Sequence, residues 1–408
     1  MNAAGTAALS AASGRTHVTK TRLDSWKSIA EYLRRSPRTV QRWHAEYGLP
    51  VHHFGGGKGP VFSYSDELDS WLSGFSEESV AEAGDGDESL GARKRRSMQL
   101  TALAGEMWEL RSEENLSRIA TLYRGSVDLD PANTAAFIGL ANALILASLV
   151  GLMRSSAAFP RAAEALHRAA RLGLGSAEMG CARAWLLMVQ EKNWKAARTE
   201  FDAALRRQPV SSFALAGRAL LHVVEGNLAE ATHCLEEGWK QNTLASASNA
   251  FRCWVQYLAG SYDQALETIA QSRAGGDASS TAAAVEALAL IQTEAISPAL
   301  KRIESMAAAN PKNLVVRGAL GYAYAVADQQ RQAREILQSL RRYEGDRSYP
   351  LALVHMGLDD GHEAVSCLEQ CFAEGALWSL GLRLDPVFQP LMQDYRFGFL
   401  LRKLESSG

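Results

Sequence analysis

The sequence has no apolar run approaching the roughly 18 residues a membrane span requires. The longest candidate, around Ala141 to Met153, is short and broken by Asn142. The first residues, Met1 to Ser13, are rich in Ala and Ser but have neither the charged start nor the apolar core of a secretory signal. Cysteine is scarce. Cys181, Cys234, Cys253, Cys367 and Cys371 form an odd, scattered set that fits thiols in a reducing cytoplasm rather than a disulfide framework. Net charge is also missing: 43 Lys and Arg against 45 Asp and Glu leave a formal −2, so the whole chain is not a polyanion sponge. No phosphate loop, hydrolase serine elbow or zinc-protease helix is present. The stretch Gly55–Gly59 carries Lys58 but lacks the required glycine spacing and the hydroxyl residue after the lysine. Cys367 and Cys371 share a helix face near His355 and His362, where packing accounts for small thiols. No catalytic residue, metal site or cofactor is therefore expected.

What is present is a period. Ala163, Ala197, Ala231, Ala265, Ala299 and Ala333 recur every 34 positions, the signature of stacked structural units rather than one irregular core. In Asn193–Pro209, Ala197, Phe201, Ala204 and Leu205 fall on one helical face, and Pro209 stops the helix. The preceding helices keep register too. Ala182, Ala216, Ala250, Ala284 and Gly318 are all small, and four residues on Leu186, Leu220, Trp254, Leu288 and Tyr322 are all large. Small residues let helices approach and large ones fill the space between turns. Gly226 and Gly260 stand where such helices should stop.

These residues resemble the tetratricopeptide repeat over roughly 110–375. The match is best at Gly321, Tyr324 and Ala333, at Ala197, Phe201, Ala204 and Pro209, and at Phe137, Leu140, Ala141 and Leu144 after Pro131. It departs at Trp185, where a small residue is expected, and at Arg154–Phe159, read as an insertion that lengthens a loop. The resemblance implies helix pairs wound into a superhelix whose concave groove takes a protein or peptide partner. Each pair alone cannot bury its apolar face, so neighbours stabilise one another. The tail Trp378–Leu404 breaks register, holds Pro386 and Pro390, and reads as a cap on the last repeat.

The other distinctive region is basic. Between Arg15 and Lys58 nine Lys and Arg face only Asp24, Glu31 and Glu46. Trp26, Ile29, Ala30 and Leu33 mark one face of a short helix. Ser36 and Pro37 then open a second, on which Val40, Trp43 and Tyr47 point inward while Arg38, Gln41 and Arg42 point outward. Val51–Phe54 and Val61–Tyr64 are β-prone runs joined by the glycine-rich turn, and Leu68, Trp71 and Leu72 mark a third helix. The order helix, turn, helix, hairpin, helix resembles the winged helix-turn-helix of the MerR and excisionase group. Arg34 stands where many relatives carry Gly, and the coiled coil of that group is absent.

That resemblance implies a helix presented to the major groove, which accepts one. Arg38, Thr39, Gln41 and Arg42 are the candidates for base or nearby phosphate contacts. Arg35, Lys58 and the wing histidines His52 and His53 are candidates for backbone or minor-groove contacts that fix register. One small module binds weakly, so a homodimer through the array or a second DNA contact is expected.

The fold class expected is mainly α: a small winged helix-turn-helix domain plus an α-solenoid of TPR-like helix pairs. The divisions are a disordered leader (1–20), the DNA-binding domain (21–74), a flexible charged linker (75–97), the repeats (98–375) and a C-terminal capping segment (376–408). Arg93–Arg96 within the linker is read either as a solvated charge run or as a phosphate-contacting arm. The functional expectation is a cytoplasmic transcriptional regulator, not an enzyme, binding double-stranded DNA and a protein or peptide partner but no membrane. The alternative is a protein-interaction scaffold whose winged helix is a docking module without DNA binding.

Overall fold

The computed structural model describes residues 21–33, 36–47, 49–53, 60–73, 89–109, 113–173, 175–241, 246–275, 279–293, 296–343 and 345–406. The chain divides into two compact units, Met1–Asp87 and Glu88–Gly408. The leader 1–20 lies outside the described residues.

In the first unit, Ser25 caps helix α1 (Trp26–Tyr32) by accepting from the Ser28 N–H. Helix α2 (Pro37–Tyr47) begins on Pro37, whose fixed φ suits a first helical position. Strands β1 (Arg22–Leu23) and β2 (His52–His53) both pair antiparallel with β3 (Val61–Tyr64), giving the order β1-β3-β2. Helix α3 (Ser65–Ser73) continues directly from β3. Thr21 and Ser65 close this corner with reciprocal hydrogen bonds, each 2.9 Å. The core holds Ile29, Ala30, Val40, Trp43, Leu49, Val51, Val61 and Leu68, and the Trp43 and Trp71 rings lie 5.9 Å apart. Trp26 is half-buried beside the His44 ring. The side chains of Tyr47 and Leu72, and the whole of Arg34, lie outside the described residues.

The second unit consists of eight helix pairs among the described residues. The first four are α4 (Leu90–Trp108) with α5 (Glu113–Leu129), α6 (Thr134–Leu149) with α7 (Ser155–Leu172), α8 (Ala177–Val189) with α9 (Trp194–Arg207), and α10 (Ser212–Val224) with α11 (Leu228–Gln241). The others are α12 (Ser246–Leu258) with α13 (Tyr262–Ala274), α14 (Ser280–Thr293) with α15 (Ile296–Ala309), α16 (Leu314–Val326) with α17 (Gln330–Arg341), and α18 (Ser348–Gly357) with α19 (Gly361–Glu374). Two 3-10 helices, Leu377–Gly381 and Pro386–Gln393, lead to α20 (Tyr395–Ser406). The leading helices of successive pairs touch one another from α4 to α18, so they form a continuous inner layer.

The repeat columns explain this stacking. Ala197, Ala231, Ala265, Ala299 and Ala333 are all 0% exposed. In α7 Ala162 is fully buried whereas Ala163 is half-buried, so burial stands one position off the column. The span from Ala162 to Ala197 is thus one residue longer than the period. The stretch Arg154–Phe159 does not lengthen a loop but extends α7 to 18 residues, with Pro160 inside it. Trp185 departs from the repeat pattern without strain on packing, because its ring stacks 5.1 Å from Phe213 and meets Phe201 edge-on. Lys192, Gly226, Gly260 and Asp328, spaced by multiples of 34, all have positive φ, so the tight turn inside these four pairs repeats as the helices do.

Three sequence expectations need correction or extension. First, the linker 75–97 ends early. Ser89 caps α4, which starts at Leu90 and carries Arg93–Arg96 as helix. The helix extends this far because Ser97 is fully buried and bonded to Ser126 and Asn133, with Thr101 one turn on bonded to the same two residues. Second, the tail does more than cover the last repeat. The segment from Leu377 packs against α10, α18 and α19, and Trp378 meets Trp254 of α12 and stacks 5.0 Å from Tyr349. Third, the expected concave groove is closed off at two of the leading helices. Thirteen of the sixteen residues of α6 and eleven of the thirteen of α10 are buried, as expected of helices apolar on every side.

The array turns back on itself. Glu113 caps the start of α14, 167 residues away, accepting from the Ser280 N–H at 2.8 Å and the Ser279 hydroxyl at 2.8 Å. Asp346 caps α7, 191 residues away, accepting from the Ser155 N–H at 3.1 Å and its hydroxyl at 2.8 Å. The Trp194 indole donates to the Leu404 carbonyl at 2.6 Å across 210 residues. The Lys192 ammonium lies 4.9 Å from the Phe372 ring centre. Asp385, 2% exposed, accepts from the Tyr257 hydroxyl at 2.9 Å and the Tyr349 hydroxyl at 2.5 Å. Gly375 has φ +71 and lies so close to Val189 that a Cβ would stand 2.3 Å from its carbonyl oxygen.

Candidate functional sites: an exposed helix face and an inner cavity

The first candidate lies on α2. Burial of Val40 and Trp43 fixes the rotation of this helix, which leaves Arg38 and Gln41 exposed on its other side. Thr39 and Arg42 belong to the same helix, but their side chains lie outside the described residues, as do Arg35 and Lys58 entirely. His44, at the flank of that face, is tied to the chain following α2 through Nδ1 and the Leu49 carbonyl oxygen, 2.8 Å apart. His52 and His53 are exposed on β2. His52 Nε2 lies 2.5 Å from the Glu67 carboxylate. That carboxylate counts against a phosphate at His52, because it repels an incoming anion. The structure thus brings Arg38 and Gln41 onto one face and gives His52 an acidic partner.

The second candidate is a cavity of about 810 Å³ where distant repeats meet. It is lined by the end of α6 and the turn after it (Ser148–Arg154), the start of α14, the α15–α16 turn (Asn310–Asn313) and the chain around Tyr343–Tyr349 and Glu374–Trp378. Leu152 and Tyr343 are its exposed large apolar side chains, at 45% and 36%, beside the exposed cations Arg154 and Lys312. Glu113 and Asp346 also line it, but both are held as helix caps. Burial raises the Glu113 pKa, and the hydrogen bonds from Ser280, Ser279 and Thr281 oppose that rise. Burial likewise raises Asp385 against the two tyrosine hydroxyls that favour its charge, and holds Tyr257 and Tyr349 protonated. A volume of this size is that of a ligand pocket, in the range of about 300–1,000 Å³, rather than an extended groove.

Sequence reasoning did not find this cavity or the acids around it. Glu113 and Asp346 sit in ordinary charged contexts. Asp385 carried a faint signal, as the acid in the otherwise apolar stretch Leu384–Phe388. Among the described residues no group of three His, Cys, Asp or Glu is placed to hold a metal ion, and no helix is long and apolar enough to cross a membrane.

No protein-family model matches the chain, and no curated protein does. Solved structures do. A Rap protein complexed with competence and sporulation factor is 13% identical, with 76% of this chain and 98% of that chain covered and a TM-score of 0.53. A chain of the APC/C hetero-tetramer Cut9–Hcn1 is 14% identical, with 83% of this chain covered and a TM-score of 0.50. This chain spans 59% of that one's length. A tetratricopeptide repeat protein from Parabacteroides merdae is 10% identical over 76% of this chain and 99% of its own, with a TM-score of 0.32. At such identities the likeness concerns fold alone. The second unit is a tetratricopeptide-like α-solenoid.

Proposed function

We propose that the chain is a binding protein rather than an enzyme, and that its repeat array takes a protein or peptide partner. The observation that carries this is the cavity of about 810 Å³ set into a tetratricopeptide-like array, with Leu152 and Tyr343 exposed in its lining. The Rap protein that shares the fold was solved with a bound factor. Because α6 and α10 are already buried on nearly every side, a partner here inserts a short segment rather than lying along a whole groove. Selection of peptides from a display library against the full chain tests this. Leu152→Glu with Tyr343→Ala should weaken the selected peptides at least about tenfold, the scale of one lost apolar anchor. A charge at Val326, which is exposed but does not line the cavity, should leave them unchanged. Equal binding by all three proteins would refute the assignment.

A second reading is favoured by one specific observation: Arg38 and Gln41 are exposed side by side on a helix whose opposite face is buried. In this reading the first unit is a winged helix-turn-helix, α2 reads duplex DNA, and the chain is a cytoplasmic transcriptional regulator. Arg suits a guanine edge and Gln an adenine edge. Arg38→Ala with Gln41→Ala should then relax sequence choice in a duplex-selection experiment. A selected consensus identical to the wild type's would dismiss it and leave a scaffold whose first unit docks another protein.

A further inference from the structure

The run Arg93–Arg96 is explained by neither proposal. It occupies the fourth to seventh residues of α4, close to a helix start that Ser89 caps and where no acidic residue stands in the first turn. No acid stands three or four residues from any of the four, so no pair along the helix offsets them. Arg93, Lys94 and Arg95 are exposed and Arg96 is half-buried. Among the described residues Lys94, Arg95 and Arg96 have no acidic partner, and Arg93 makes one long contact, 3.4 Å, to the Asp128 carbonyl oxygen. The fold nevertheless holds this segment as helix, because Ser97, Leu100, Leu103, Ala104 and Met107 on the same element are buried.

Consecutive cations held on a fixed helix, with no acidic partner among the described residues, are an anion-binding surface. We propose that Arg93, Lys94 and Arg95 form a phosphate-contacting surface of the second unit for duplex DNA; this shares with the second reading above that the chain meets a duplex, and does not require that α2 reads its sequence. An anionic membrane fits less well. The apolar face of α4 is already buried in the array, and only Leu90 and Met98 are left exposed to enter lipid. The surface supplies affinity without sequence choice, as backbone contacts do.

The test is fluorescence anisotropy of a labelled random-sequence duplex with the full chain, titrated from about 50 to 300 mM KCl. Each phosphate contact contributes about 0.9 to the slope of log K against log salt. The variant Arg93→Gln, Lys94→Gln, Arg95→Gln should therefore lose about 2–3 of that slope and about a hundredfold in affinity near 0.15 M salt. Glutamine keeps the helix, and unchanged thermal melting confirms it. An unchanged slope in a wild type that does bind overturns the inference and leaves the α2 reading intact. Loss of slope in this variant, with unaltered sequence selection by Arg38→Ala, Gln41→Ala, upholds it and sinks that reading. No duplex binding by the wild type at 50 mM salt removes both. Binding to phosphatidylserine vesicles that the glutamine variant loses, without duplex binding, would replace DNA by a membrane.

Discussion

The two units use their residues in opposite ways. In the first, a handful of buried side chains around Ile29, Val40, Trp43 and Leu68 set the rotation of α2, and the specialised side chains Arg38 and Gln41 are left outside. In the second, specialised polar groups are turned inward. Glu113, Asp346 and Asp385 join segments 167, 191 and 128 residues apart, about four to six repeat lengths. A miniature fold has little core to spare and keeps its chemistry on the surface. A solenoid has many copies of its core and can devote single residues in some of them to closing the array.

The sharpest way to break that contrast is at Asp385. Its replacement by Ala leaves two buried phenols, Tyr257 and Tyr349, without their acceptor. The expected loss is about 3–5 kcal/mol of array stability, read from chemical denaturation, while the melting of the first unit should not move. Asp385→Asn should cost less and should flatten one pH dependence. Burial raises this aspartate's pKa, so the folded chain holds its proton more tightly than the unfolded chain does. Its contribution is fully present below the ordinary aspartate pKa and is lost as pH rises through the raised folded value. The stability of the wild type relative to the asparagine variant should therefore increase as pH falls from neutral, and a difference independent of pH would remove the buried-carboxylate explanation.

Next in size is Gly375→Val. A positive φ and a carbonyl oxygen in the space of a Cβ both act against any side chain, for an expected loss of about 2–4 kcal/mol. The matching substitution at Gly151, which has positive φ but open space around it, should cost only about 1–2 kcal/mol. Equal losses at the two sites would mean that α8 and the end of α19 do not meet. The smallest effect belongs to Trp194→Phe. It keeps an aromatic ring but removes the indole N–H and its bond to the Leu404 carbonyl, for about 1 kcal/mol, measured by thermal melting.

Much of this was legible in the chain. The 34-residue columns predict the pairs, and the buried alanines from Ala197 to Ala333 follow them. The columns record contacts between neighbouring repeats, which every copy must make. They say nothing of contacts made once. Trp194 with Leu404, or Glu113 with Ser280, recurs nowhere else in the sequence, so no period announces it. The same logic explains Ala163, where one unit of irregular length moved the burial to Ala162. The helical character of Arg93–Arg96 was hidden because local composition reads as linker, whereas its helix is stabilised by the seam at Ser97 and Ser126. For the α2 face, alternation of Val40 and Trp43 with Arg38 and Gln41 was enough to predict which side is exposed.

The claim on which the rest turns is that the array is closed, with sites 191 positions apart facing one cavity. Spin labels at Leu152 and Tyr343 of the full chain, with their separation measured by pulsed dipolar spectroscopy, report this directly. A single short, narrow distance is expected, unchanged by moderate salt. A long or broad distribution would mean an open solenoid whose ends move apart, and would contradict the closure.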